Sequence, residues 1–235
     1  GAQGIRFTEG TWNEVLKQAG EKGCPVFVDI YTTWCGPCKK MAREIFTQKE
    51  AGDYFNTHFV NCQIDAEKGE GVEIARKFNV SAYPTCLFVD SRGKLISSFL
   101  GAQSVDRLLK EGEKAMRNFA LLPRLEEMDV LYARGDSAEN MAFLLNYCHT
   151  RADFGEKGGQ PVNDLLWLFA DDDLKDRANA RWAQAVTVFD GKLLQRMVNV
   201  LGTIDKDTDK KAFSALDGAI MKSLSTLVQQ AIDAD

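Results

Sequence analysis

Long apolar runs are missing from this 235-residue chain. No window approaches the roughly 18 consecutive apolar residues that a membrane-spanning helix needs. Basic charge is also scarce: 29 Lys+Arg against 34 Asp+Glu leave a formal net charge of −5, which excludes a nucleic-acid binder relying on a positive field. Two histidines make a His-rich metal site improbable, and six cysteines are too few for a disulfide scaffold. There is no initiator Met. Gly1-Ala2-Gln3-Gly4 reads as a trimmed start, and Ala2-Gln3 is compatible with a signal-peptidase cut. This leaves export possible; a periplasmic or otherwise exported setting is the expectation, with a cytoplasmic one as the alternative. What remains is 45% hydrophobic and 27% charged, ordinary for a globular chain of one large or two modest domains.

Thr11-Trp12-Asn13-Glu14 has capping-box spacing and predicts a short helix. Val26-Phe27-Val28-Asp29-Ile30-Tyr31 is nearly continuous and β-rich, as a strand buried on both faces reads. A helix is predicted from about Cys35, with Met41, Ile45 and Phe46 on one face, stopping before a second capping-box signal at Thr47-Gln48-Lys49-Glu50. Phe59 to Ile64 reads as a strand and Glu73 to Phe78 as a short helix. Cys86 to Val89 and Leu95 to Phe99, separated by Asp90-Ser91-Arg92-Gly93-Lys94, predict an antiparallel hairpin. Val105, Leu108, Leu109, Met116 and Phe119 recur at helical spacing. The pattern predicts an α/β domain over residues 1–119, a mixed sheet flanked by helices.

Past Leu121-Leu122-Pro123 the β-branched runs stop. An all-α domain of four to six helices is predicted over residues 120–235, broken near Arg134-Gly135-Asp136, Gly155 to Pro161 and Asp205 to Asp209. Its clearest apolar stripe is Phe213, Leu216, Ile220, Leu224, Leu227, Val228 and Ala231.

Chemistry is concentrated in Trp34-Cys35-Gly36-Pro37-Cys38, directly after the buried strand and opening a helix. A bare C-x-x-C fits zinc sites, redox sites and chance. Here no second pair is available for zinc, and the βαβ context favours a redox pair. Two cysteines so spaced at a helix start can close a disulfide across one turn. The first points outward, near unpaired backbone N–H groups that favour the thiolate, the species that attacks a disulfide sulfur. Cys35 is thus the expected nucleophile and Cys38 the resolving thiol.

Residues 26–40, VFVDIYTTWCGPCKK, resemble the active-site segment of thioredoxins, and the pattern continues to about Gly101. The stretch is also similar to the thioredoxin-like C-terminal domain of membrane thiol-disulfide electron transporters, through Phe46-Thr47, Lys49-Glu50 and the insert Ala66 to Gly71. The resemblance implies a thioredoxin-like fold for residues 1–119. It implies that Asp29 accepts the Cys38 proton; a carboxylate in an apolar strand has a raised pKa, which suits that exchange. It implies a cis peptide at Pro84 facing the cysteines, and a substrate-binding surface made by Trp34, Gly36, Pro37, Tyr83, Pro84 and Thr85. Where thioredoxins often carry a lysine beside the buried acid, this chain has Asn61. The uncharged Gly36-Pro37 dipeptide is that of reducing members. The resemblance implies no cofactor beyond the Cys35–Cys38 disulfide itself. Its partners would be disulfide-containing proteins and an upstream electron donor, a thioredoxin reductase or a membrane transporter.

Other features have plainer readings. Cys62 and Cys86 are small buried hydrophobes in strands. Cys148-His149 is not a catalytic pair, because adjacent helical residues point about 100° apart. Asp205, Asp207 and Asp209 mimic a calcium loop but lack its Gly and final Glu, so a solvated turn is expected. Asp171-Asp172-Asp173 suits a helix N-terminus. Trp167, Phe169 and Trp182 are expected in the core of the helical half. The leading reading is a thiol-disulfide oxidoreductase that reduces protein disulfides. A peptide-binding or chaperone-like module on the same scaffold is the alternative, and a zinc site at Cys35 and Cys38 a weaker third.

Overall fold

The computed structural model describes residues 3–137, 139–176 and 188–234. The chain divides into two compact units, Gly1–Pro123 and Arg124–Asp235.

In the first unit, helix α1 (Trp12–Lys22) starts on the capping box: Glu14 N–H donates to the Thr11 hydroxyl at 3.2 Å, and Thr11 N–H donates to the Glu14 carboxylate at 2.9 Å. Strand β1 (Val26–Tyr31) is central in a four-stranded sheet of order β2-β1-β3-β4. It runs parallel to β2 (Val60–Asp65) and antiparallel to β3 (Thr85–Val89), which pairs in turn with antiparallel β4 (Leu95–Leu100). The crossover from β1 to β2 carries α2 (Gly36–Lys40), a π-helical turn (Met41–Ile45) and α3 (Lys49–His58). Helix α4 (Gly71–Lys77) joins β2 to β3, and α5 (Val105–Ala133) follows β4.

Strand alternation gives the sheet two distinct faces. Val26, Val28 and Ile30 join Cys62, Leu87 and Val89 in a core with Val15 and Ala19 of α1 and Ile74 and Ala75 of α4. The opposite face is aromatic. The Phe27 ring lies 4.8 Å from Phe55, 5.2 Å from Phe88 and 5.9 Å from Phe46, centre to centre. Each such pair adds about 0.5–1.5 kcal/mol beyond area burial. A Cβ on Gly112 of α5 would sit 2.9 Å from the Tyr54 ring, so only glycine lets α5 lie this close to α3. Asp29 is the one charged residue of β1, and it belongs to the aromatic face by alternation.

One local expectation differs from the structure. The second capping box does not form: Thr47 hydroxyl donates back to Arg43 carbonyl at 2.7 Å, and Gln48 becomes the N-cap of α3 without a side-chain bond. The hydroxyl is consumed by the preceding turn. Helix α5 runs from Val105 to Ala133 with Pro123 inside it. Proline removes one helical donor, and Pro123 stands on an exposed face of the helix.

In the second unit, α6 (Met141–Asp153), α7 (Gln160–Leu168), the short α8 (Asp171–Leu174), α9 (Gly191–Leu201) and α10 (Lys210–Asp233) follow. Asn140, Asp190 and Asp209 cap α6, α9 and α10 by accepting backbone N–H bonds. Leu144, Leu165, Leu166, Leu193, Met197 and Leu216 are central to the core. Asp171-Asp172-Asp173 opens α8, and Asp205 accepts the N–H groups of Asp207 and Thr208 in a turn. The α10 stripe is only half used: Leu216 and Ile220 are buried, whereas Leu224, Leu227 and Val228 are exposed. Trp167 is no core residue either. It lies half-exposed beneath Lys192 Nζ, 4.3 Å from the ring centre, and the Arg196 guanidinium at 5.3 Å. Phe169 is partly buried against the core, and Trp182 lies outside the described residues. Among the described residues no helix is long and apolar enough to cross a membrane.

Candidate active site

Cys35 is the N-cap of α2, its backbone extended where the strand-to-helix turn leaves β1, and Pro37 sits in the first helical turn. Cys38, one turn on, is joined to it by a disulfide with Cα atoms 5.3 Å apart. The sulfur of Cys35 also accepts the Cys38 N–H at 3.2 Å. That bond takes one of the orphan donors of the helix start, and its dipole favours negative charge on the sulfur. The first cysteine is less outward than expected. Both are buried, with 4% exposure each, because the Cys35 sulfur folds back over the first turn of α2.

Trp34 is 66% exposed rather than packed in a core. Its indole N–H donates to Glu67 at 2.6 Å, and Tyr83 meets it edge-on at 5.9 Å between ring centres. Glu67 comes from the turn after β2, where its own N–H is held by Asp65 at 2.9 Å. The sequence does not single out Glu67, although the insert Ala66 to Gly71 that carries it stands out. Gly36 is exposed with open space around its α-carbon. The Tyr83–Pro84 peptide is cis. Pro84 carbonyl accepts the N–H of Gly101, whose φ of 88° favours glycine, and Thr85 hydroxyl donates to Ala82 carbonyl at 2.6 Å.

Asp29 is 2% exposed. Burial pushes its carboxyl up to about 6, against the lowering effect of hydrogen bonds from Gln63 and Cys86. Gln63 Nε2 donates to Asp29 Oδ2 at 3.2 Å, and the Cys86 thiol donates to Oδ1 at 3.8 Å. Both partners follow from register: Gln63 and Cys86 are the residues directly opposite Asp29 on β2 and β3. Asn61 does not take that place. It pairs with Phe27, two residues back along the ladder, and its amide donates to Phe55 carbonyl at 3.1 Å. Counting along the chain thus pointed two residues short of the neighbour that register supplies.

Asp29 and Cys38 line one cavity of about 350 Å³, together with Tyr31, Thr32, Lys39 and Gln63. The buried Thr32 hydroxyl on its wall has no hydrogen-bond partner in the protein among the described residues. A buried carboxyl raised towards neutrality and the inner cysteine therefore share a solvent-sized space. Cys62 and Cys148 are buried elsewhere, and burial raises both thiols, Cys62 to about 12 and Cys148 to about 11. Among the described residues no group of three His, Cys, Asp or Glu side chains is placed to hold a metal ion.

A family profile described as a thioredoxin-like domain matches residues 12–116. Thiol:disulfide interchange protein DsbD of Yersinia pestis is 36% identical over 85 residues, 36% of this chain and 14% of that protein. Thioredoxin Y, chloroplastic, of Oryza sativa is 32% identical over 114 residues, 48% of this chain and 62% of that protein. The solution structure of a candidate disulphide-isomerase from Bacteroides thetaiotaomicron is 45% identical, with 49% of this chain and 96% of that one covered and a TM-score of 0.46. The chain thus spans about one-seventh of DsbD and under two thirds of thioredoxin Y.

Proposed function

Because residues 12–116 belong to the thioredoxin-like family and carry a Cys35–Cys38 pair at disulfide distance, we propose that the protein reduces disulfide bonds in protein substrates. The observation that carries the reading is the shared cavity, which sets an uncharged-to-charged switch at Asp29 beside the resolving cysteine.

In the reduced protein, the Cys35 thiolate attacks one sulfur of a substrate disulfide. The substrate S–S bond breaks, its departing thiolate takes a proton from water, and a Cys35–substrate mixed disulfide forms. Cys38 then gives its proton to the Asp29 carboxylate through the common cavity and attacks the Cys35 sulfur. The mixed disulfide breaks, the second substrate sulfur leaves as a thiolate that takes a proton from water, Asp29 returns its proton to solvent, and the Cys35–Cys38 disulfide closes. Two electrons have passed to the substrate, and an upstream dithiol donor must return two. The direction is supported by Gly36-Pro37, which places no cation between the sulfurs to hold the reduced state.

Trp34, held by Glu67 and bordered by Tyr83, gives an exposed aromatic edge beside Cys35 on which an extended substrate segment can lie. Backbone groups near Pro84 and Thr85 would pair with that segment as an added strand. A periplasmic or otherwise exported setting belongs to the same proposal, supported by the likeness to bacterial thiol:disulfide interchange proteins.

Insulin disulfide reduction with dithiothreitol as donor tests the reading, comparing the native chain with Cys35→Ser. Loss of the catalysed rate in the variant is expected. Equal rates in the two would overturn the proposal in favour of a non-catalytic binding module.

A further inference from the structure

We propose that Gln63 and Cys86 are positioning residues for this chemistry, two neutral donors on the strands flanking Asp29 that hold one carboxylate oxygen each and fix the pH at which it takes the Cys38 proton. The inference rests on the disulfide-reductase reading for its purpose, though not for its geometry.

That geometry comes from the sheet. Register places Gln63 and Cys86 directly opposite Asp29, one on each side, and facing residues in a sheet share a face. Each donor reaches a different oxygen: Gln63 Nε2 takes Oδ2 and Cys86 Sγ takes Oδ1. A carboxylate buried to 2% exposure would otherwise be strongly disfavoured in its charged form. Two hydrogen bonds to that form recover part of the cost without adding a charge.

The two donors differ in what they do after proton transfer. Cys86 is fully buried, and its thiol is pushed well above its ordinary range by that burial and by Asp29, so it stays an S–H donor throughout. Gln63 is exposed on one side and also lines the cavity that Cys38 shares. Its amide carries both a donor and an acceptor, so rotation by half a turn lets it donate to the carboxylate or accept from the carboxylic acid. One partner therefore holds the anion, and the other can follow either protonation state. A lysine at the same place could only favour the anion.

The titratable and charged groups around Asp29 are Tyr31 on β1, Cys62 and Asp65 on β2, Cys86 on β3, and Cys38 and Lys39 on α2. Burial raises the Tyr31 and Cys62 groups above their ordinary values, and Cys38 is held in the disulfide, so none of these three titrates with Asp29 in the oxidised protein.

The test is a carboxyl titration by ¹³C NMR of the full-length oxidised protein labelled at aspartate, with Asp29 assigned by its loss in Asp29→Asn. In Cys86→Ala and in Gln63→Leu the Asp29 midpoint should rise by about half a pH unit or more, a roughly threefold gain in proton affinity. Cys86→Ser, which keeps a donor, should restore it. The infrared S–H stretching band that Cys86→Ala deletes should move with the native Asp29 midpoint, and the pH profile of insulin reduction should shift in step with each variant. An unmoved midpoint in both donor-less variants, or a Cys86→Ser midpoint equal to that of Cys86→Ala, overturns the inference. If Cys86→Ala does not fold, the partly exposed Gln63→Leu and the native S–H band still decide it. Midpoints that shift while native and Cys35→Ser proteins reduce insulin equally would sink the reductase reading and leave the hydrogen-bond clamp standing.

Discussion

Gln63 faces Asp29 across the β1–β2 ladder and donates to its carboxylate at 3.2 Å. A neutral amide thus stands beside the buried acid. Gln63→Lys would put an ammonium within reach of Oδ2, and an opposite charge favours the ionised carboxylate. Since position 63 is exposed on one side, solvent blunts the effect, and the Asp29 midpoint should fall by about one unit rather than three. The same ¹³C titration checks it. A midpoint unchanged or raised would mean that the residue-63 side chain does not govern the acid.

That relationship marks where the sequence was legible and where it was not. Local signals were reliable wherever one short-range interaction decides the outcome. The Thr11–Glu14 capping box, the Asp90-to-Lys94 hairpin turn and the strand-CxxC-helix order all stand as spacing suggests. Asn61 against Gln63 shows the limit, because the neighbour of Asp29 is set by strand register, which pairs residues 34 apart in the chain. Cys86 reads from the sequence as a buried hydrophobe for the same reason, since its bond to Asp29 spans 57 residues. Thr47 offered the right spacing for a cap, but the carbonyl of Arg43 competes for its hydroxyl.

Asp29 also makes stability depend on pH. The folded protein holds the Asp29 proton more tightly than the unfolded chain, about 6 against 3.8. Between those values unfolding releases a proton, so stability falls as pH rises through that window and the full cost is present above it. Asp29→Asn removes the charge and should stabilise the oxidised protein by about 3 kcal/mol at pH 7, while changing little at pH 3. Urea unfolding at the two pH values measures this directly. A variant less stable than native at pH 7 would show that the carboxylate is better accommodated than its burial implies.

The apolar stripe of α10 divides into a packed and an unpacked half. Leu216 is 1% exposed within the helical core, whereas Val228 is 60% exposed. Leu216→Ala should cost about 2–5 kcal/mol, from lost transfer energy and the cavity left behind. Val228→Ala should change stability by no more than about 0.5 kcal/mol. Denaturant unfolding of the two variants separates these values. Similar losses would mean that the second half of α10 is covered in solution.

Removing the resolving sulfur should stop turnover at its midpoint. In Cys38→Ala the Cys35 sulfur keeps the backbone N–H of residue 38 as a donor, because that bond comes from the main chain. Its thiolate should therefore still attack a substrate disulfide, break it and form the mixed disulfide. No second thiol stands at the buried α2 position to release the substrate. Cys62 and Cys86 do not replace it: one packs on the opposite face of the sheet, and both thiols are raised far above neutrality by burial. Non-reducing electrophoresis should show a covalent, dithiothreitol-sensitive complex with insulin chains in Cys38→Ala. The complex should be absent from Cys35→Ser, and it should accumulate far less in the native protein, where the second step outruns the first. A Cys38→Ala protein that forms no adduct while remaining folded would mean that Cys35 is not the attacking sulfur, whatever its place at the head of the helix.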